Sequence, residues 1–229
     1  MKKFVAILAL VISLAAAPSA KAGIVFSNTF DNGYFVPFTS LTAPGVKYGD
    51  SGWLSGFQPE TYTLNQIDLG LAVYGSIFPG ETDITVTFND GDPSGLVFGP
   101  GTELYSVTIP DVQLPSTDEF GPEFFTLSIP LPNVVTSGGF NNVGWSVSVS
   151  NFEYGGSFGF QCSSTFGQTT GFYTNNASFY NGSAWSLFSF GGDPNFGVAN
   201  FVATIHDVPE PATAVLLALG LVAMRRRVR

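Results

Sequence analysis

The sequence predicts an all-β protein whose one folded domain is an antiparallel β-sandwich or a jelly-roll-like fold. Apolar residues alternate with Ser, Thr or Gly at a period of two along several segments. Clusters of Gly, Pro, Asn and Asp separate these segments, as expected for turns. No segment between residues 23 and 208 has a sustained helical period. This region is long enough to bury the core of one sandwich.

Five segments carry the clearest alternation, and each is predicted to be a strand with one buried face. Residues 89–95 and 99–101 are predicted turns. Residues 23–58 alternate less clearly, so this part is predicted to be partly irregular. The apolar positions of the five strands are Ile84, Val86 and Phe88; Tyr105, Val107 and Ile109; Phe125, Leu127 and Ile129; Val143, Trp145, Val147 and Val149; and Ala199, Phe201, Ala203 and Ile205.

Residues 1–22 are predicted to be a removable signal peptide. Lys2 and Lys3 precede an apolar run that is too short for a stable membrane span. Ala20 and Ala22 fit the small-x-small rule for signal peptidase, which places the cut after Ala22. Signal peptidase is therefore an expected partner, and residues 23–208 are expected to be exported.

Residues 209–229 form a second segment in three parts. Pro209-Glu210-Pro211 comes first, an uncharged run over residues 212–224 follows, and an arginine cluster ends the chain. As a helix the run would rise about 20 Å, less than a ~30 Å hydrocarbon core, but arginine side chains can snorkel and a bilayer can thin locally. A short membrane helix is therefore predicted, with the arginines in the cytoplasm. The cluster consists of Arg225, Arg226, Arg227 and Arg229.

These three parts in this order resemble the PEP-CTERM protein-sorting tail, which is also labelled "ice-binding protein C-terminal". Pro209, Glu210 and Pro211 match the motif of that family. The resemblance implies that a membrane-embedded exosortase recognises the tail and cleaves near the motif. It also implies an inner-membrane intermediate, then the cell surface or the medium, and often an exopolysaccharide setting. It implies nothing about the chemistry of the domain ahead of the tail.

The charge distribution excludes one large class of partners. Sixteen of the seventeen acidic residues lie in residues 23–208, together with one cation, Lys47, so this region carries a net charge near −15. Nucleic-acid binding is excluded because it needs Lys and Arg side chains to neutralise phosphates. Docking on anionic lipid is disfavoured for the same reason. Divalent cations are the expected partners for so many carboxylates.

Residues 89–92 are the one stretch that resembles a metal site. Asn89, Asp90 and Asp92 place an amide and two carboxylates where a strand ends, as at the opening of a calcium loop. Glu81 and Asp83 would converge on them if the strand folded back. However, the Gly–x5–Glu spacing of an EF-hand is missing, and Asp-Gly and Asp-Pro are ordinary turn pairs. The sequence therefore leaves open a plain turn and a calcium site, and it indicates no other cofactor.

No catalytic residue is predicted. The one histidine, His206, lies beside the tail rather than in a recognisable pocket motif, and one His with one Cys is too few for zinc. Cys162 shares a strand face with Phe158 and Phe160, which predicts a buried, inert thiol. Two carboxylates suffice for glycoside hydrolysis, although no spacing singles out a pair. A secreted carbohydrate-active enzyme is therefore the alternative hypothesis.

Residues 171–190 are the best candidate for a carbohydrate site because sugars bind to aromatic faces and planar amides. The other interpretation is that these rings fill the core. Thr85 and Thr87 form an isolated pair in the sequence, which argues against a ranked ice-binding face. The favoured hypothesis is a non-enzymatic binding or structural module for exopolysaccharide or surface partners. The candidate residues are Phe172, Tyr173, Asn175, Asn176, Phe179, Tyr180, Asn181 and Trp185.

Overall fold

The computed structural model describes residues 23–29, 31–38, 46–55, 61–96, 101–117, 121–136, 142–163, 168–173, 177–188 and 200–208. Within these ranges the chain is all-β, and it contains no helix that is long and apolar enough to cross a membrane. The compact unit Ile24–Asp207 is the β domain. The predicted signal peptide, with Ala20 and Ala22, and the predicted membrane helix lie outside the described residues, as do the motif Pro209-Glu210-Pro211 and the arginines Arg225, Arg226, Arg227 and Arg229.

The strands form two antiparallel sheets. In the first sheet the order is β10-β1-β15-β4-β9-β14, with β2 paired to β9 and β7 paired to β4. In the second sheet the order is β13-β12-β3-β8-β5-β6, with β11 paired to β3. The bounds are β1 Gly23–Asn28, β2 Asp31–Pro37, β3 Lys47–Trp53, β4 Thr63–Tyr74, β5 Gly80–Asp90, β6 Thr102–Leu114, β7 Glu123–Val135, β8 Asn142–Glu153, β9 Ser157–Ser163, β10 Gln168–Thr170, β11 Phe172–Tyr173, β12 Ser178–Tyr180, β13 Trp185–Leu187, β14 Asn200–Phe201 and β15 Ala203–Asp207.

The alternation in the sequence correctly predicts which side of each central strand is buried. Ile84, Val86 and Phe88 of β5 are at most 1% exposed. Phe88 lies opposite Trp145 of β8, and Val86 lies opposite Val147. Because cross-strand partners project to the same side of a sheet, these side chains form one continuous apolar layer. Ala199, the first position of the fifth predicted strand, lies outside the described residues.

The core lies between the two sheets. Phe26 of the first sheet packs edge-on against Trp145 of the second, with ring centroids 5.5 Å apart. Phe201 of the first sheet contacts Tyr48 of the second at 6.1 Å and stacks on its own neighbour Phe160 at 4.5 Å. Two antiparallel sheets joined by apolar side chains form the sandwich-like arrangement that the sequence predicts. The jelly-roll-like connectivity stays a prediction.

The prediction that residues 23–58 are partly irregular was wrong for the part that is described. These residues supply β1, β2 and β3. Strand β3 alternates poorly because Gly49, Asp50, Ser51 and Gly52 are small or polar, yet all four are buried. Other elements cover both sides of the strand, and tertiary pairing overrides weak local propensity.

The outer face of the second sheet is the side that points away from the core, and it carries hydroxyl groups. The Oγ1 atoms of Thr85 and Thr108 lie 2.8 Å apart across β5 and β6, and Thr87 pairs with Ser106 at 3.1 Å. On the other side of β5, Ser148 lies opposite Thr85. The prediction of an isolated threonine pair was therefore wrong. Alternation along one strand cannot show what the neighbouring strands place beside it.

The predicted burial of the cysteine is confirmed. Cys162 is fully buried with Phe158 and Phe160 on the inner side of β9. Its Sγ atom lies 3.9 Å from the carbonyl oxygen of Phe160. Such a thiol packs as a small apolar side chain.

Candidate functional site

Two aromatic pairs lie on the outer face of the second sheet. The first pair is Trp53 of β3 and Phe172 of β11, which are cross-strand partners with ring centroids 5.4 Å apart. Trp53 points outward because its neighbour Gly52 faces the Phe26 ring in the core. Phe172 is 62% exposed. An exposed ring held against a second ring offers a flat apolar contact surface.

The second pair is Tyr180 of β12 and Trp185 of β13, with ring centroids 5.3 Å apart. Both rings are partly exposed, and Tyr180 lies opposite Lys47 on the outer face. The turn between the two strands fixes the pair. Its Asn181 Oδ1 accepts hydrogen bonds from the backbone N–H groups of Ser183 and Ala184, each at 2.9 Å.

The two pairs stand at opposite ends of β3. Lys47 and Trp53 are six positions apart in one strand, which corresponds to about 20 Å. Between them Pro93 packs over Gly49, because a Cβ atom at Gly49 would lie 2.9 Å from Pro93 Cγ. The outer face therefore has two aromatic platforms on either side of the turn that follows β5.

The structure divides the predicted carbohydrate stretch between two sides of the sheet. Phe172, Tyr180 and Trp185 point outward, as a sugar site requires. Phe179 instead packs on Tyr48, with centroids 5.2 Å apart, and belongs to the core. The Asn181 amide oxygen is used by the turn. Asn175 and Asn176 lie outside the described residues, and of Tyr173 only the backbone pairing is described. Sequence reasoning missed Trp53 because it lies in the weakly patterned region.

The three residues of the predicted calcium site lie at the end of β5, which holds Asn89 and Asp90, and in the turn that follows it, which holds Asp92. Asp92 is fully buried, and its Oδ1 accepts hydrogen bonds from Ser94 N at 2.8 Å and Ser94 Oγ at 2.7 Å. Its backbone carbonyl oxygen accepts from the N–H groups of Gly95 and Gly101. These contacts are ordinary turn chemistry. These contacts fix the shape of the turn, but they do not satisfy the buried amide groups beside it.

Two buried amides beside this turn have polar atoms without partners, although Asn89 Nδ2 donates to the carbonyl oxygen of Gly101 at 3.5 Å. Asn89 and Asn142 are each 8% exposed, and Asn89 Oδ1 and both polar atoms of the Asn142 side chain have no hydrogen-bond partner. Leaving a buried polar group unsatisfied costs about 1–3 kcal/mol. Within the described part of the chain, no group of three or more His, Cys, Asp and Glu side chains could hold a metal ion.

Glu81 and Asp83 do not converge on the turn, and that expectation was wrong. Strand β5 does not fold back, so Asp83 and Asp90 are separated by about 23 Å of extended chain. At the far end of the strand, Glu81 lies directly opposite Glu153 of β8. Asp83 accepts hydrogen bonds from Asp111 N at 3.0 Å and Asn151 Nδ2 at 2.6 Å. The sequence signal did not single out this acid pair because Glu153 comes from a distant strand.

Asp50 is a carboxyl group inside the sandwich. It is 2% exposed, its Oδ1 accepts a hydrogen bond from Ser51 N, and its Oδ2 accepts one from Phe201 N, each at 2.8 Å. Burial raises the pKa of Asp50 well above its usual range, the two backbone hydrogen bonds lower it in part, and the negative charge of Asp92 adds to the increase. Sequence reasoning missed this residue because Asp is rarely buried.

This raised pKa predicts that stability falls as pH increases above about 4. Below the unfolded-state pKa both states hold the proton, whereas above it the unfolded chain releases the proton and the folded chain retains it. One such group changes the free energy of unfolding by at most about 1.4 kcal/mol per pH unit. Urea unfolding between pH 4 and pH 8 should show a shallower decline for Asp50→Asn than for the wild type. Equal slopes would contradict the prediction.

His206 contacts a carboxylate of the neighbouring strand in the first sheet. Its Nε2 lies 2.7 Å from Asp68 Oδ2, on β15 and β4 of the first sheet. Burial raises the pKa of Asp68, but hydrogen bonds from Ser128, Gln66 and His206 lower it, and the net pKa lies below the usual value. Asp68 therefore adds stability above its unfolded-state pKa, which is lost as pH falls through the folded-state pKa. In a serine triad the imidazole lies between the hydroxyl and the carboxylate. Here the Asp68 carboxylate instead accepts hydrogen bonds from both His206 and Ser128.

Comparison with known proteins identifies one segment. The family model described as the PEP-CTERM protein-sorting motif matches residues 207–229, as the resemblance predicted. The chain therefore carries this sorting motif, which implies export, a membrane-associated intermediate and processing by an exosortase. No curated protein and no solved structure matches the chain.

Proposed function

We propose that this chain, which carries a PEP-CTERM sorting motif, is displayed at the cell surface or released, and that its β domain binds extracellular polysaccharide without acting as an enzyme. The observation that carries the binding role is the pair of aromatic platforms, Trp53 with Phe172 and Tyr180 with Trp185. Sugar rings stack on such surfaces through their C–H faces. Signal peptidase and an exosortase are the proposed processing enzymes.

The spacing and charge of the outer face limit the class of ligand. Two platforms about 20 Å apart suit a polymer better than a single sugar, because both can then bind one chain and add their affinities. A domain with a net charge near −15 repels anionic polymers unless cations screen or bridge the charges. Neutral polysaccharides are therefore the expected ligands when divalent cations are removed.

Binding should depend on one ring from each platform. The measurement is affinity electrophoresis of the full chain in detergent, through gels that contain neutral or anionic polysaccharides, with calcium or with chelator. Trp53→Ala and Trp185→Ala are each expected to weaken binding about tenfold, which corresponds to about 1.4 kcal/mol of stacking. Phe78→Ala is the matched control, because Phe78 is 71% exposed and belongs to the loop between β4 and β5.

Two outcomes would contradict the proposal. The first is that no polysaccharide retards the wild type in either buffer. The second is that Trp53→Ala and Trp185→Ala migrate like Phe78→Ala in a gel that retards the wild type. Circular dichroism spectra establish that each variant is folded.

The alternative function is a secreted carbohydrate-active enzyme. The observation in its favour is the cross-strand pair Glu81 and Glu153. Two neighbouring carboxyl groups are the catalytic groups that most glycoside hydrolases use. Incubation of the same polysaccharides with the protein tests this alternative. New reducing ends that appear with the wild type and are lost in Glu81→Gln would favour the enzyme over the binding module.

A further inference from the structure

The one Lys or Arg of the β domain, Lys47, lies beside an aromatic platform. Lys47 begins β3 and is the cross-strand partner of Tyr180 on β12, which in turn pairs with Trp185 on β13. Val46 and Tyr48, on either side of Lys47 in the chain, belong to the core, so Lys47 projects to the outer face of the second sheet. Lys47, Tyr180 and Trp185 therefore form one row across three strands, and each of these side chains is partly exposed.

Hydroxyl groups continue this row on the other side of Lys47. Tyr48 lies opposite Val147 of β8, so the antiparallel register places Ser148 beside Lys47. Ser148 in turn lies opposite Thr85 of β5, and both side chains are half-buried. Because neighbouring strands are about 4.8 Å apart, uncharged side chains flank Lys47 closely on both sides.

No carboxylate among the described residues neutralises Lys47. In the described ranges the one close contact between a basic and an acidic side chain joins His206 and Asp68, on the first sheet. Asp83 shares the outer face with Thr85, but strand spacing and rise place it about 12 Å from Lys47, and its carboxylate already accepts two hydrogen bonds. Lys47 therefore gives the platform a local positive charge, although the domain carries a net charge near −15.

We propose, on the basis of the binding function proposed above, that the polysaccharide contains a uronic acid whose ring stacks on Tyr180 and Trp185 while its carboxylate binds the Lys47 ammonium group. Hydrogen bonds between an ammonium and a carboxylate are among the stronger ones in proteins. The Ser148 hydroxyl is a second donor for the same carboxylate. One ammonium group balances one singly charged group, which a uronic acid supplies.

The net charge of the domain limits how acidic this ligand is. Screening confines the repulsion from the domain's carboxylates to about 8 Å at an ionic strength of about 0.15 M, whereas a bound carboxylate lies about 2.8 Å from the ammonium nitrogen. A polymer with one acid among several neutral sugars therefore gains the contact with Lys47 and meets little of the repulsion. A polymer with a charge on every sugar meets both. The expected ligand is a sparsely acidic polysaccharide, which refines the expectation from net charge alone.

The test compares one polysaccharide with and without its carboxyl groups. The probes are gellan, which has a single glucuronate in each repeat, and gellan whose carboxyl groups have been reduced to alcohols. Affinity electrophoresis of the full chain in detergent and chelator should show about fivefold tighter binding of native than of reduced gellan, as expected for one partly exposed ion pair. Lys47→Gln should abolish this preference without changing the binding of reduced gellan, and Lys47→Arg should retain it.

A control of equal charge separates this contact from the net charge. Thr126→Glu lowers the net charge by one unit, as Lys47→Gln does, at an exposed position of β7 in the first sheet, and its preference should equal that of the wild type. Equal binding of both gellans by the wild type would overturn the inference, as would an equal loss of preference in Thr126→Glu and Lys47→Gln. In either case the proposed function stands if Trp185→Ala weakens binding of both gellans. If Trp185→Ala binds both like the wild type, the proposed function fails, and this inference fails with it.

Discussion

Replacing Pro209, Glu210 and Pro211 by alanine is expected to abolish exosortase processing and to leave the entire chain attached to the membrane. These residues are the motif of the matched sorting segment at residues 207–229. The measurement is an immunoblot of membrane and medium fractions from an exosortase-containing host.

A charge-preserving control separates recognition of the motif from general disturbance of the tail. Replacing Arg225, Arg226, Arg227 and Arg229 by lysine retains four positive charges next to the apolar run, so topology and processing should persist. Replacing the same residues by glutamine should impair both. If the alanine variant is shortened and released like the wild type, the role assigned to the motif is wrong.

Trp145→Ala is expected to cause a large loss of stability in the β domain. Trp145 is fully buried, packs edge-on against Phe26 of the other sheet, and lies opposite Phe88 in the register of β8 and β5. Truncation of a buried aromatic side chain costs about 3–5 kcal/mol. This cost is a large fraction of the free energy of unfolding of most domains, which is about 5–15 kcal/mol. Urea unfolding followed by far-ultraviolet circular dichroism measures it.

Trp145→Phe refines this prediction. Trp145 Nε1 is buried without a hydrogen-bond partner, so phenylalanine retains an aromatic ring and removes an unsatisfied N–H group. Its cost should be less than half that of Trp145→Ala. Phe78→Ala, at an exposed position, should change the free energy of unfolding by no more than about 0.5 kcal/mol. A Trp145→Ala variant as stable as Phe78→Ala would mean that the sheets do not meet at this ring.

The fold class could be predicted because the sequence repeats one local rule. In β5 the alternation of Ile84, Val86 and Phe88 with threonines needs only the period of an extended strand. The same rule failed at β3, where Gly49 to Gly52 are buried by Pro93 on one side and Phe26 on the other. Such burial depends on partners that are distant in the sequence, which no local pattern reveals.

The candidate sites follow the same division. Asn89, Asp90 and Asp92 lie within four positions of one another, so the sequence alone could single them out. Asn142 comes close to the turn after β5, and Trp53 comes close to Phe172, only through strand pairing. A slip of one residue in register would turn both side chains to the opposite face. Phe179 shows the reverse error, because an aromatic-rich stretch does not indicate which of its rings faces the core.

Intact mass spectrometry of the protein recovered from the envelope and the medium of an exosortase-containing host is the decisive test of export and sorting. We expect a species that begins at Gly23 and ends near Pro209 to Pro211, which would demonstrate removal of both the signal peptide and the sorting tail. A species that begins at Gly23 and still ends at Arg229 would contradict this expectation, because the tail would then be a permanent anchor rather than a sorting signal.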